Sequence, residues 1–176
     1  MSTTLLYNMF GIRGYEHRRT DYYQGSACFT LEQRREKYRC SACGSAAVHA
    51  QGHKERLLRS LPIGGKSTFV CVKVARVLCF QCEQTRQVKV PFADPRRSYT
   101  HAFERYALDL SRHTTIQDVA CHLGVGWDMV KEIQHLIEQM DDGERRTYLA
   151  ESLFLNTVKY ENDKLDAYLR KLASQK

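Results

Sequence analysis

Two pairs of cysteines, each at a spacing typical of metal ligands, are the residues of this sequence best suited to chemistry. Cys40 and Cys43 lie in "CSACG", and Cys79 and Cys82 lie in "CFQC". A CxxC turn directs two thiolates towards one ion, and two such turns complete a tetrahedron of sulfur around Zn²⁺. Four soft anionic ligands also suit Zn²⁺ chemically. The spacing therefore predicts a four-cysteine site with Zn²⁺ as the cofactor.

Other uses of these residues have weaker support in the sequence. The two pairs are 35 residues apart, more than the common spacing of about 15 to 20, but the insertion contains a turn, "LPIGGK", and a valine-rich strand. A thioredoxin-like redox pair would leave the second CxxC unused, and no βαβ pattern surrounds either pair. His49 and His53 are rival ligands, but their stretch is non-periodic and contains glycine, which favours exposed loop residues.

The remaining cysteines are interpreted as small buried residues rather than ligands. Cys28 and Cys71 lie in predicted strands, and Cys121 lies in a predicted helix. The sequence starts without the basic segment and long apolar stretch of a secretory signal, and no apolar run is long enough to cross a bilayer. We therefore expect a cytoplasmic protein without disulfides and without a membrane partner.

The charge is concentrated in one part of the chain. The formal net charge is +7, and residues 1–100 hold 17 Lys/Arg against 7 Asp/Glu, whereas residues 101–176 hold 10 against 13. A basic N-terminal part is a plausible footprint for a polyanion such as DNA. From charge alone, a basic soluble surface explains the pattern equally well.

The periodicity changes near "PFADPRRSY", at residues 91–99, which predicts a domain boundary there. Before it, Val70, Val72 and Val74 alternate with less apolar residues, as in a half-buried strand, and "RQVKVPF" shows the same alternation. After it, "THAFERYALDLSRH", "TTIQDVACHLG" and "WDMVKEIQHLIEQ" have helical periods. Thr100 is a predicted N-cap, and Thr115 with Asp118 has capping-box spacing.

Residues 116–135 match the helix-turn-helix template. Ala120 is the small residue where the two helices touch, and Gly124 is the turn residue that tolerates positive φ. Apolar residues then fall where the helices should pack together: Val119, Leu123, Val125, Val130 and Ile133. A generic helical hairpin is the alternative interpretation.

Docking of this unit on DNA would place the helix from residue 127 to 139 in the major groove. The outward residues of that helix, and the residues where the preceding helix meets the phosphate backbone, are then expected to contact DNA. The first set is Trp127, Asp128, Lys131, Glu132 and His135, and the second is Arg112, Thr114 and Thr115. Basic residues of the N-terminal part are candidates for phosphate contacts, although each alone is more typically a solvated charge: Arg34, Arg35, Lys37, Arg39, Arg56, Arg59, Arg76, Arg96 and Arg97.

Taken in order, "CSACG", "RLLRSLPIGGKSTFVCVKVARVLCFQC" and "TTIQDVACHLGVGWDMVKEI" resemble the N-terminal part of transposases of the IS-L-three insertion-sequence family, over about residues 36–137. The resemblance implies that the four CxxC cysteines hold zinc and that the two modules bind the ends of a mobile element. Ala42 replaces the proline of the family's CPxCG motif, Gly126 replaces a serine, and "RVLC" has one arginine where the family has two.

The resemblance does not extend to catalysis. The family's RNase-H-like domain should follow the helix-turn-helix, and two-metal strand transfer needs three carboxylates held by a sizeable fold. Asp141 and Asp142 cannot form that site alone, so we expect no enzyme activity. The tail carries a short imperfect heptad with Asn162 at a seam position, which is typical either of a homodimer or of a helix that folds back on its own chain.

The sequence thus predicts an α+β protein: a small β-rich zinc ribbon, a three-helix helix-turn-helix unit and a C-terminal helix. The expected domains are N-terminal strands at 1–35, the ribbon at 36–95, the helix-turn-helix at 99–140 and the tail at 144–174. The predicted function is zinc-dependent, sequence-specific binding of double-stranded DNA, at mobile-element ends or as a regulator. The alternatives are a protein-interaction adaptor and, less consistent with a closed four-thiolate site, a metal-dependent enzyme.

Overall fold

The computed structural model of the protein describes residues 3–141 and residue 143. Its elements in chain order are α1 (Thr3–Phe10), β1 (Tyr15–Tyr23), β2 (Ser26–Gln33), β3 (Val48–Ile63), β4 (Lys66–Cys79), β5 (Thr85–Gln87), α2 (His101–Ser111), α3 (Ile116–Leu123) and α4 (Trp127–Glu138). A five-stranded sheet is followed by helices. The α+β prediction is confirmed.

The backbone separates into two compact units, residues 1–131 and residues 132–176, and α4 begins in the first unit and ends in the second. The predicted helix at 144–174, with its dimer seam, lies outside the described residues. Within the described part of the chain, no helix has the length and apolar character that membrane crossing requires.

The sheet has the strand order β1-β2-β4-β3, and β5 pairs with the C-terminal end of β4. Strands β2 and β4 are parallel, and the other pairs are antiparallel. Two tight hairpins connect β1 to β2 and β3 to β4. Each has two central residues with positive φ, Gln24–Gly25 and Gly64–Gly65, which matches the twist of the flanking strands. The turn predicted at "LPIGGK" is therefore confirmed.

The main hydrophobic core lies on one face of β4. Val70, Val72 and Val74 are buried, while Cys71 and Lys73 between them are only half-buried. This alternation confirms the predicted strand and tells which face is covered. The other buried members come from α1, β1, β2, β3 and the segment after β5: Leu6, Phe10, Ile12, Tyr15, Phe29, Leu31, Leu58, Val90, Phe92 and Ala93.

Several expectations need correction. Residues 3–10 form helix α1 where strands were predicted, and the two expected strands follow it. His49 and His53 are exposed, as expected, but they lie on β3 instead of a loop. Cys121 is exposed, not buried, because it lies on the solvent side of α3.

The segment "RQVKVPF" shows burial at every second residue without being a strand over its whole length. Val88, Val90 and Phe92 are buried, yet β5 ends at Gln87. The alternation continues beyond β5 because Val88 packs in a small apolar cluster with Ala75 and Val77, whereas Val90 and Phe92 pack in the main core. The predicted boundary at 91–99 is thus irregular in structure but packed, since Phe92 and Ala93 belong to the main core.

The helix-turn-helix segment begins its helices with the predicted caps. Thr100 Oγ1 accepts a hydrogen bond from the Phe103 N–H at 3.2 Å. Thr115 Oγ1 accepts from the Asp118 N–H at 3.2 Å and donates to its carboxylate at 2.6 Å. Because the first N–H groups of a helix lack partners within it, each such cap is worth about 1 kcal/mol.

Helix α3 ends in a Schellman motif. The Val125 N–H donates to the Ala120 carbonyl at 3.0 Å, and the Gly124 N–H donates to the Cys121 carbonyl at 3.2 Å. Gly124 has φ of +61°, a conformation that glycine adopts without steric cost. Of the apolar positions of the template, Val125 is half-buried, and the others are buried: Val119, Ala120, Leu123, Val130 and Ile133.

Replacing Gly124 with alanine should lower the free energy of unfolding by about 1–2 kcal/mol, because a Cβ makes the left-handed conformation of this residue sterically unfavourable. Chemical denaturation followed by circular dichroism measures the change. Gly126→Ala is the matched control: Gly126 has no positive φ, and a Cβ there meets nothing within 4 Å. We expect the control to change stability by less than about 0.5 kcal/mol. Equal effects of both substitutions would contradict the assigned turn.

Candidate functional site

The sheet brings the four CxxC cysteines together. Their Sγ atoms all lie within 4.8 Å of one another, with 3.6 Å between Cys40 and Cys82 and 3.5 Å between Cys43 and Cys79. A tetrahedral Zn²⁺ with Zn–S bonds of about 2.3 Å places its sulfurs about 3.8 Å apart. The residues present therefore fit zinc in number, type and spacing.

The two cysteine turns have the same backbone geometry. The Cys40 N–H donates to the Ser45 carbonyl at 3.0 Å, and the Cys79 N–H donates to the Gln84 carbonyl, also five residues later, at 3.1 Å. The residue after each second cysteine has positive φ, 72° at Gly44 and 52° at Glu83. Glycine adopts this conformation without steric cost, whereas Glu83 is a residue type that rarely does.

The backbone of each turn favours thiolates. The N–H groups of Cys43 and Ala42 donate to the Cys40 sulfur and lower the pKa of that thiol to about 6. The N–H of Cys82 likewise lowers the pKa of Cys79. By contrast, hydrogen bonds with the Cys79 and Cys40 sulfurs raise the pKa of Cys82 to about 12. Four adjacent sulfurs cannot all carry negative charge without a cation to balance the repulsion.

A small apolar cluster lies beside the cysteines. Cys40 and Cys79 are buried, while Cys82 is half-buried and Cys43 is exposed. The cluster consists of residues of β4 and the segment after β5, with partly buried residues packed against it: Ala75, Val77, Val88, Tyr38 and Val48. Cys28 and Cys71 are half-buried on β2 and β4 and are not part of the group of four clustered cysteines.

The predicted DNA-reading residues lie on the exposed side of α4. Trp127, Asp128 and Lys131 are exposed in the first unit, and the Lys131 Nζ lies 4.8 Å from the centre of the Trp127 ring. This cation–π contact holds a positive charge over an aromatic surface at the start of the helix. In the second unit, His135 is exposed and pairs with Glu138 at 3.0 Å.

The residues predicted to contact the phosphate backbone near α3 already have partners. Arg112 ends α2 and lies 3.6 Å from Asp109. The Thr114 hydroxyl donates to the Leu110 carbonyl at 3.2 Å, and Thr115 serves as the N-cap of α3. All three remain at the surface, but Thr115 has a structural role that the sequence already predicted.

Arg59 is the predicted DNA contact that the structure contradicts. Its side chain is buried, with 5% of its surface exposed. The guanidinium donates to the Leu123 carbonyl at 2.7 Å and lies 5.0 Å from the Phe69 ring centre and 5.7 Å from that of Phe103. A positive group at the C-terminus of α3 is favourable because of the helix dipole. Arg59 therefore binds α3 instead of reaching the surface.

The other basic candidates are accessible to different degrees. Arg76 is exposed on β4, Arg96 is exposed before α2, and Arg97 is half-buried. Arg56 is half-buried and donates to the Asp94 and Arg97 carbonyls at 2.7 and 2.8 Å. Arg56 thus holds the turn that carries Arg96 and Arg97, a role that its position in a basic stretch did not reveal.

Comparison with known families bears on both regions. A family model described as the zinc-finger of transposase IS204/IS1001/IS1096/IS1165 matches residues 36–82. A second, described as the helix-turn-helix domain of transposase family ISL3, matches residues 88–137. The chain contains the zinc-ribbon and helix-turn-helix domains of the ISL3 transposase family. The two matches cover 97 of its 176 residues, and the predicted resemblance is confirmed.

The two ISL3 matches can be placed on the elements of the structure. The zinc-finger match ends at Cys82, so it contains all four clustered cysteines. The helix-turn-helix match begins at Val88 and includes the packed segment before α2. No curated protein and no solved structure compared with the chain matches it.

Replacing Cys40 with serine should remove stoichiometric zinc from the purified protein. A neutral hydroxyl is a poor substitute for a thiolate, and even changes around the ligands weaken metal binding by about 10- to 100-fold. We expect a loss of zinc affinity of more than about 100-fold, together with a lower melting temperature, because site formation and folding are coupled. Metal analysis and thermal denaturation measure both.

Cys121→Ser is the matched control, because Cys121 is exposed on α3 and lies outside the cysteine cluster. It should retain one zinc per chain and the melting temperature of the unaltered protein. Retention of zinc by Cys40→Ser, or loss of zinc from Cys121→Ser, would contradict the assigned site.

Proposed function

We propose that the protein is a zinc-dependent, sequence-specific DNA-binding protein of transposase type. In this proposal Cys40, Cys43, Cys79 and Cys82 bind one Zn²⁺, and the helix-turn-helix reads double-stranded DNA. The observation that carries it is the convergence of four Sγ atoms within 4.8 Å in a chain that also contains an ISL3 helix-turn-helix. The DNA sequence would be the end of a mobile element or an operator that regulates one.

Zinc would have a structural role. Four thiolates fill a tetrahedral site and leave no position for a substrate or water. The bound ion would neutralise the sulfur charge and hold the two cysteine turns together, which join the start of β3 to the end of β4. We therefore propose binding without catalysis for this part of the protein.

The start of α4 would supply the base contacts. A helix-turn-helix places the N-terminal residues of its second helix against base edges. Trp127 offers an apolar surface for a thymine methyl group or a sugar, and Lys131 offers a donor for guanine or phosphate. Their contact at 4.8 Å orients both side chains before DNA binds, which lowers the entropic cost of binding. Asp128 is also on this surface. Its carboxylate would disfavour DNA sequences that place a phosphate or another hydrogen-bond acceptor against it.

Phosphate contacts would come from basic and hydroxyl-bearing residues elsewhere. Arg76, Arg96 and Arg97 are the proposed contacts in the ribbon and the segment before α2, with Arg112, Thr114 and Thr115 at the helices, and His135 further along α4. Because Asp128 and Glu132 reduce the positive charge of α4 itself, these residues would supply most of the salt-dependent affinity. Arg59 is not in this set, because it is buried.

The predicted domain limits of 1–35, 36–95, 99–140 and 144–174 belong to the same proposal, as does a homodimer formed through the tail.

Electrophoretic mobility shifts on element-end DNA across a salt series test the DNA-binding function. Tight binding to this DNA that weakens steeply with salt supports it. Absence of binding at every salt concentration would contradict it and favour a protein-interaction adaptor.

Lys131→Ala and Trp127→Ala should each weaken binding to the specific site by about 1–3 kcal/mol and hardly change binding to random DNA, because base contacts distinguish sequences. Fluorescence anisotropy titrations with both DNAs measure this difference. Arg76→Ala is the matched control: loss of a phosphate contact should weaken both complexes alike and reduce the salt slope by about one. Equal losses on both DNAs for the α4 variants would refute base recognition by this helix.

A further inference from the structure

Arg59 connects the sheet to the helix-turn-helix through its side chain. It lies on β3, and its Nη2 donates to the carbonyl of Leu123, the last residue of α3, at 2.7 Å. Its guanidinium also lies near the ring of Phe69 on β4 and the ring of Phe103 on α2. One planar group therefore contacts one neighbouring strand and two helices.

The backbone of Arg59 connects the same parts of the molecule. Its N–H donates to the Ser98 carbonyl at 2.7 Å, and its carbonyl accepts from the Thr100 N–H at 2.9 Å. Thr100 is the N-cap of α2. The main chain of this one residue thus fixes the start of α2, while its side chain fixes the end of α3.

Among the described residues, no carboxylate pairs with the buried Arg59 guanidinium, which is unusual for a residue that only stabilises a fold. Burial alone lowers the pKa of Arg59, and among the described residues its Nε and Nη1 have no hydrogen-bond partner. Keeping a charged group buried without an opposite charge beside it costs free energy. Stability alone therefore gives little reason for arginine at this position.

The turn that follows α3 transmits the position of Leu123 to α4. Only Gly124, Val125 and Gly126 separate the two helices. Val125 is tied back to Ala120, and a Cβ placed on Gly124 would lie 4.0 Å from the Ser67 Oγ on β4. Because the turn is short and hydrogen-bonded to α3, the Arg59–Leu123 hydrogen bond also fixes the position of Trp127, where the next helix begins.

We propose that Arg59 is a positioning residue that fixes the start of α4 relative to the ribbon, so that base contacts by α4 and phosphate contacts by the ribbon occur on DNA in one register. The inference rests on the proposed DNA-binding function. It assigns Arg59 to sequence specificity without any contact with DNA. A fixed spacing between two contact surfaces raises specific affinity, because nothing has to be ordered on binding.

Arg59→Met tests the proposal, since methionine is apolar, fits a buried site and removes the anchor. We expect one zinc per chain and a melting temperature near that of the unaltered protein. The ratio of specific to nonspecific DNA affinity should fall about tenfold, while nonspecific affinity changes less than about threefold. Arg59→Lys keeps the charge and one donor, and should reduce the ratio by less than about threefold.

A second measurement needs no DNA. Trp127 is the only tryptophan in the chain, and it lies at the start of α4. In free Arg59→Met protein, Trp127 should show stronger acrylamide quenching and lower fluorescence anisotropy, because the start of α4 is no longer fixed. Arg96→Ala, which changes an exposed residue, should leave both signals unchanged and serves as the control.

The possible outcomes separate the two proposals. If the unaltered protein binds both DNAs equally, the proposed function fails, and the Trp127 signals still show whether Arg59 fixes α4. If the unaltered protein discriminates between the DNAs, the inference requires both changes in Arg59→Met. An unchanged affinity ratio or unchanged Trp127 signals would overturn it. Should Arg59→Met fail to fold, the same two measurements on Arg59→Gln, which removes the charge and shortens the side chain, decide, and no change in either one would overturn the inference.

Discussion

The mutual repulsion of four cysteine sulfurs is the constraint on which the ribbon depends. The fold brings all four Sγ atoms within 4.8 Å of one another, and backbone N–H groups at Cys40 and Cys79 favour the thiolate form. Without a cation, four thiolates this close would repel one another; hydrogen bonds with the Cys79 and Cys40 sulfurs raise the pKa of Cys82 to about 12. With a divalent cation, the same charges become the attraction that holds the start of β3 against the end of β4. The sheet and the proposed metal therefore stabilise each other.

The helix-turn-helix is joined to the sheet by different chemistry. The main core lies on one face of β4 and includes Val90, Phe92 and Ala93, and the Phe92 carbonyl accepts from the N–H of His101, the first residue of α2, at 2.9 Å. On β3, Leu58, Arg59 and Ser60 are all buried, which means that both faces of the strand are covered there. Arg59 is on the face opposite Leu58 and binds the end of α3. The buried hydrogen bond between Arg59 and Leu123 thus connects the ribbon, proposed to bind phosphates, to the helix-turn-helix, proposed to contact bases.

Local sequence signals were sufficient where the physical rule is local. The Thr100 and Thr115 caps, the Gly124 turn and the alternation of Val70, Val72 and Val74 were predicted because each depends on neighbours within a few residues. The cysteine cluster was predicted because each CxxC turn directs its two sulfur atoms towards one point. Predictions based on the usual burial of a residue type were less reliable. Cys121 was expected to be buried because cysteines usually are, yet α3 presents it to solvent.

By itself the sequence determined the cysteine cluster, the change from strands to helices and the positions of the helix caps, because these follow from residue type and short spacing. Only the tertiary structure decided which surfaces are covered. Strand parity places Arg59 opposite Leu58 but cannot tell that helices cover that second face, so Arg59 was predicted, with Arg56 and Arg76, as a candidate for phosphate contacts. Arg59 is buried, Arg56 holds a turn, and Arg76 is exposed. Burial depends on elements far away in the chain, and no local pattern encodes it.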